Sequence, residues 1–414
     1  MVSISFFLSC QPPKSTSTDY ILENVTIIDG TGGPIQENMS IHISEDRIAS
    51  IVKSNLEPDW DDKKRIDLTG KYVLPGLFDM HVHLATDPTT EDKLEKTLER
   101  LETYLNHGVT GVRDMAGDTR QLAYLARQSS LDEIKSPDLY FSSLMAGPGF
   151  FSDPRTAASA KGKTPGRTSW MRAVGEGANL QLAIAEAKGT GASGIKLYAD
   201  INSEICQEII KEAQAQKIKV WAHASVIPAK PQDLAEVGIN SVSHAPLLAW
   251  QVADEMAGVG TQRYDQIDLD VLDSTFQHLL HTMKENRVYL DPTIKIFETR
   301  SGLYENAVKA TKAAYEVGVE MVIGTDMAIA GEDVRFFPIN DEMEALVDDV
   351  GMSPNDVIKA ATTNSAKLLG IDRTVGSITE GKKANLIILE NNPLEDIRHL
   401  RNLVGVIKNG KQVR

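Results

Sequence analysis

The chain has 414 residues, with 43 basic against 58 acidic side chains and a formal net charge of −15. No run of Lys and Arg builds the basic face that a phosphate backbone requires, which excludes a nucleic-acid binder. At 42% hydrophobic and 24% charged residues, the composition suits a globular protein with a sizeable core and excludes global disorder. Two cysteines, Cys10 and Cys206, are too few for a disulfide framework or a cysteine-based zinc site, so a metal would need His, Asp, Glu or something less usual. No apolar stretch approaches the roughly 20 residues of a bilayer span.

Residues 4–10, Ile4-Ser5-Phe6-Phe7-Leu8-Ser9-Cys10, resemble the end of a bacterial lipoprotein signal, in which the Cys is lipidated. The Pro/Ser/Thr-rich tract after it reads as a tether. A basic n-region is missing and the apolar part is short, so a frayed N-terminus with a chance Cys is the competing reading. The first implies a cell-envelope or periplasmic lipoprotein held to the membrane only through its lipid; the second allows a cytoplasmic protein. The division expected is leader and tether over 1–19, a β-sandwich part over 20–73, a barrel over 74–372 and a second sandwich part over 373–414.

Short alternating segments separated by Asp29-Gly30 and Gly32-Gly33 predict strands near 21–28 and 40–43. The C-terminal end repeats the style at 384–389 and 404–408, which suggests one small sheet domain assembled from both termini. Between them, apolar strand candidates alternate with amphipathic helices: 77–83, 109–113, 139–143, 194–198, 219–223, 241–244, 288–291 and 321–326. Leu94, Leu98, Leu101 and Leu105 recur at helical spacing, as do Ile201, Ile205, Ile209 and Ala213. Ser353-Pro354-Asn355-Asp356 starts a late helix that runs toward Leu369-Gly370. Eight strands in βα units make a (β/α)8 barrel, whose chemistry sits at the C-terminal strand ends.

Polar residues gather at those ends. His81 and His83 close the first strand, spaced by two so that both rings share a face. His223 closes the fifth strand and His244 the sixth; Asp326 closes the eighth after Met321-Val322-Ile323. Singly, each reads as a hydrogen-bonded structural His or a turn Asp. Together they point to a metal centre with nitrogen and oxygen ligands, with zinc as the expected ion.

Leu74-Pro75-Gly76-Leu77-Phe78-Asp79-Met80-His81-Val82-His83-Leu84 resembles the first-strand signature of the amidohydrolase superfamily, in its imidazolonepropionase-like and Xaa-Pro dipeptidase-like branch. The tracts around Asn106 to Asp114, Ile323-Gly324-Thr325-Asp326, Ala360 to Gly370 and Asn392-Pro393-Leu394 resemble it in order. The resemblance implies a distorted TIM barrel with a small β-sandwich from both termini. It also implies that Lys196, on the fourth strand, takes up carbon dioxide as a carbamate bridging two divalent ions. His81, His83 and Asp326 would then hold the first ion, His223 and His244 the second. A salt-bridged Lys196 and a single ion is the alternative. The implied chemistry is cleavage of a C–N bond by a metal-activated hydroxide, with Asp326 passing the proton to the leaving nitrogen. His107 resembles a family position and reads as structural.

Where relatives carry Gly-Gly-His after the third strand, this chain has Ala146-Gly147-Pro148-Gly149-Phe150-Phe151. The loop that follows, to about Gly177, could form a lid, and Arg155, Arg167 or Arg172 could clamp a substrate carboxylate. Tyr198 lines the pocket or packs behind the strand. Arg335-Phe336-Phe337-Pro338 also departs from the usual turn, so the dipeptidase label does not carry over. The readings left are a hydrolase of dipeptides or N-acyl amino acids, an imidazolonepropionase-like cyclic-amide hydrolase, and an inactive lipid-tethered binding protein. The expected partner is a small molecule, with self-association left open.

Overall fold

The computed structural model describes residues 19–58, 60, 62–85, 94–253, 267–326 and 338–414. Cys10, the tether and residues 335–337 lie outside them. The N-terminal alternation becomes β1 (Asp19–Ile27), β2 (Gln36–Ser44) and β3 (Arg47–Lys53), an antiparallel run. Leu22, Ile41, Ile43 and Ile48 are buried on its packed face. β4 (Lys64–Asp67) and β5 (Tyr72–Pro75) both pair parallel with β1.

After Gly76 the chain enters the barrel. An ideal Cβ at Gly76 would come within 2.2 Å of the Thr110 side chain, so the close approach of the two strand starts requires glycine. The barrel strands are β6 (Leu77–Val82), β7 (Val109–Asp114), β8 (Asp138–Ala146), a short β9 (Met171–Ala173), β10 (Gly194–Leu197), β11 (Lys219–His223), β12 (Ser241–Ser243) and β13 (Tyr289–Asp291). They are parallel in the order β6-β7-β8-β10-β11-β12-β13, with β9 added on β8. These strands are buried on both faces, as a parallel sheet covered by helices requires.

The expected eighth strand is a correction. Residues 321–326 make one bridge, Met321 to Leu290, and then leave strand geometry. Met80 N donates to Ile323 O at 2.7 Å and Asp326 N to His81 O at 2.8 Å, so the segment still closes the gap between β13 and β6. Thr325 N, however, donates to the Asp79 carboxylate at 3.1 Å rather than to a neighbouring strand. Asp326 itself is left-handed at φ +49°. A side chain has replaced a ladder partner.

The helices fall close to expectation. Leu94–Asn106 buries Leu101 and Leu105, and Ser203–Ala215 buries Cys206, Ile209 and Ala213 behind the Asn202 cap. Ser353 accepts from Asp356 N to start Pro354–Lys359, but the expected single helix passes through a π turn, Ala360–Asn364, before Ser365–Leu369. β14 (Leu386–Leu389), β15 (Leu403–Lys408) and β16 (Lys411–Gln412) then complete the terminal sheet, β14 pairing antiparallel with β5.

Candidate active site

The strand ends bring the expected residues together. His81 is 1% exposed, and its Nε2 lies 3.5 Å from Asp326 Oδ1. His83 Nε2 is 3.0 Å from the same oxygen, and His244 Nε2 is 3.8 Å from Asp326 Oδ2. One ligand atom from each of His81, His83 and Asp326 falls within 4.8 Å of the others, a spacing that a cation can bridge. The His223 ring stands 4.5 Å from His244 and 4.2 Å from Tyr198. Lys196 is buried, and its Nζ has no hydrogen-bond partner. All seven line one cavity of about 400 Å³.

The electrostatics suit cation binding. Burial keeps His81, His223 and His244 below the usual imidazole range, His244 down to about 3, so these rings offer lone pairs rather than protons. Burial also pushes against ionised Asp326, but His81, His83 and His244 outweigh it and hold the carboxyl well below its usual value. Burial, with Arg113 nearby, brings the Lys196 ammonium down to about 7. Burial pushes His83 down, but Asp326 outweighs it and holds that ring above its usual value. Three neutral imidazoles, a fourth ring paired with an ionised carboxylate, and a partnerless amine are together a donor set that fits divalent metal. His244 and Asp326 sit at φ +75° and +49°, and Thr293, within 2.8 Å of His244 Nδ1, at +48°. Backbone strain held at three neighbouring strand ends is characteristic of functional sites.

Beneath the cavity lies a charged layer that sequence reasoning missed. His81 Nδ1 donates to Asp291 Oδ2 at 2.8 Å, and Ser243 Oγ donates to the same oxygen at 2.9 Å. The fully buried Arg113 guanidinium reaches Asp291 at 3.4 Å, donates to Met80 O at 2.7 Å and stacks 4.7 Å from the Trp221 ring. Burial raises the Asp291 carboxyl, but His81 and Arg113 overcome it and hold the group below its usual value. Asp291 closes an apolar strand much as Asp326 follows one, and that was the signal available in the sequence.

The loop after β8 forms one wall. An ideal Cβ at Gly147 would meet the Asp200 carbonyl oxygen at 1.6 Å, so only glycine allows the chain to turn there. Phe150 packs 4.7 Å from Tyr198, and with Leu144, Trp170 and Met171 it gives the cavity an apolar side. Tyr198 therefore lines the pocket. Arg155 also lines it, with a side chain 62% exposed and ion-paired to Asp153. Arg167 and Arg172 do not; they line a separate cleft. His107 bonds Thr103 O at 2.8 Å, before β7 begins, away from the strand ends that carry the site.

A parallel barrel with this constellation at its C-terminal strand ends defines a hydrolase of the amidohydrolase type. The amidohydrolase family model matches residues 72–413, and the chain belongs to that family of hydrolases acting on C–N bonds. It is 26% identical to the ochratoxinase of Aspergillus niger (strain ATCC 1015), over 96% of this chain and 87% of that protein. It is 22% identical to the imidazolonepropionase of Fusobacterium nucleatum subsp. nucleatum, over 95% of this chain and 94% of that one. A solved Xaa-Pro dipeptidase with bound methionine superposes with a TM-score of 0.76 at 23% identity, covering 96% of this chain and 100% of the other, a likeness of fold.

Proposed function

We propose that the protein hydrolyses the amide bond of a small peptide-like substrate, a dipeptide or an N-acyl amino acid, using two zinc ions. The observation that carries this reading is the meeting of four imidazoles, one carboxylate and a partnerless buried amine in a single cavity. His81, His83 and Asp326 would hold one ion, His223 and His244 the other, with Lys196 as a bridging carbamate. Bound there, such ions lower the pKa of water and polarise a carbonyl.

The chain's own groups do the rest. Asp326, held ionised among three histidines, accepts a proton at its carboxylate and passes it to the leaving nitrogen. Phe150, Trp170 and Met171 seat an apolar substrate group and keep bulk water from the reacting bond. Arg155, at the same cavity, is the cation for a substrate carboxylate once it exchanges Asp153 for it. The dipeptidase among the structural neighbours is consistent with this substrate class, as is the ochratoxinase relative with membership of an amide-cleaving family.

The test is amine release from a mixed set of dipeptides, N-acyl amino acids and small lactams by zinc-loaded protein, with Asp326→Asn as the blank. Loss of about 10²-fold or more in turnover, with much smaller change in KM, is expected. No turnover above the blank, in protein shown to hold zinc, would overturn the reading; turnover of lactams alone would favour the cyclic-amide alternative. Lipid attachment at Cys10 belongs to the same proposal and is read from the mass of the mature N-terminus.

A further inference from the structure

Arg167 and Arg172 converge on a cleft of about 520 Å³ lined also by Thr119, Arg120, Ser169 and Glu186, which shares no lining residue with the catalytic cavity. On a chain of net charge −15, three guanidinium groups around one cleft reverse the local sign. Their bonding is incomplete within the protein. Arg120 is engaged: Nε and Nη2 donate to Asp118 at 2.9 and 2.7 Å, and its guanidinium lies 4.3 Å from the Trp170 ring. Arg172 pairs through Nη2 with Glu186, but its buried Nε has no partner. Thr119, 1% exposed, also carries a hydroxyl with no partner. Arg167 makes no side-chain hydrogen bond or ion pair among the described residues.

Besides Glu186 Oε2, which is ion-paired with Arg172 but accepts no hydrogen bond, the unmet groups at this cleft can all donate: a buried hydroxyl, a buried guanidinium N–H and an exposed guanidinium. Glu186, the acid lining the cleft, is already paired with Arg172, and Asp118 with Arg120. Donors in excess of acceptors match an oxyanion, and planar guanidiniums bind carboxylate or phosphate through paired N–H bonds. The helix Thr119–Ser130 begins at the cleft and adds its positive end, although Asp118 already takes the Arg120 N–H.

We infer that this cleft is a second binding site, for a small oxyanion held by Arg167, the Arg172 Nε–H and the Thr119 hydroxyl. The site is separate from catalysis. It adjoins the catalytic cavity: Arg120 lines the cleft and stacks on Trp170, which lines the cavity, and Ser169 and Arg172 of the cleft flank Trp170 and Met171 of the cavity.

Calorimetric titration of the zinc-loaded full chain, at constant ionic strength, tests it with inorganic phosphate and acetate as probes. One saturable site is expected, weakened tenfold or more by Arg167→Gln and by Thr119→Val and unaffected by Asp326→Asn. Arg167→Gln should leave turnover without added anion unchanged. Saturation by phosphate alone assigns a phosphoryl ligand, and by acetate alone a carboxylate; saturation by both assigns the chemistry they share. If neither probe saturates, the inference fails. It fails equally if binding persists at full affinity in both Arg167→Gln and Thr119→Val, since the anion would then sit elsewhere.

Discussion

Asp291 Oδ2 lies 2.8 Å from Nδ1 of His81, which orients the ring so that Nε2 faces Asp326. Arg113 and Ser243 hold the carboxylate from below. Partners of this kind fix the tautomer of a metal-binding imidazole, and their loss typically costs about 10- to 100-fold in metal affinity. On the proposed two-zinc reading, zinc-loaded Asp291→Asn should therefore lose its metal to a competing chelator at a concentration roughly that much lower than the zinc-loaded native chain needs. Circular dichroism would verify the fold, and unchanged zinc retention would refute the role.

Gly324 backs onto the same pair. An ideal Cβ there would come within 2.3 Å of Asp291 Oδ1 and 2.6 Å of His81 Cβ. Neither neighbour is a flexible chain end. Gly324→Ala should cost about 1–3 kcal/mol by overpacking and shift both groups. A denaturant melt together with zinc content checks it, and a variant equal to the native chain in both would refute the packing argument.

Glu342 supports the pocket from outside, accepting the Ile294 and Lys295 N–H groups at 2.8 and 2.9 Å. Burial nevertheless pushes its carboxyl from an ordinary 4.5 up to about 8. A folded-state value above the unfolded one means that the native chain binds more protons between those limits. The group's contribution is present in full below about 4.5 and is lost as pH rises through about 8. From pH 5 to 9 the native Tm should fall relative to that of Glu342→Gln, which cannot titrate; parallel curves would contradict the assignment.

Cys206 is 0% exposed, and burial pushes its thiol up to about 12. The native protein should show no measurable alkylation there at pH 8, with labelling appearing on denaturation. Peptide mapping separates Cys206 from Cys10. Prompt native labelling of Cys206 would mean that the helix Ser203–Ala215 opens far more readily than its packing implies.

Much of the site was legible because a strand end is a place with few choices. His81, His83, His223, His244 and Asp326 each follow an apolar run, where an unpaired polar group is costly unless it meets others. The barrel and the sheet from both termini follow from the same periodicities. Asp291 and Arg113 stayed hidden because their importance lies in each other: they belong to β13 and β7, and only closure of the barrel brings them to 3.4 Å. The three arginines after β8 looked equivalent for a related reason. Loop sequence carries no side-chain period; β9 pairing with β8 sets the direction of Arg172, and Arg167, which bridges to it, lines the same cleft away from Arg155. The eighth strand was overread because alternation cannot reveal that the Asp79 carboxylate takes a ladder bond.

β5 lies between β1 and β14 and runs on, through Gly76, into the strand that carries His81. During synthesis every proposed ligand, through Asp326, precedes residue 386, where β14 begins. A nascent chain thus exposes its histidines and carboxylate before the sheet that seats the first ligand strand can close. A chain clipped before β14 would hold every proposed ligand and lack the frame that aligns them.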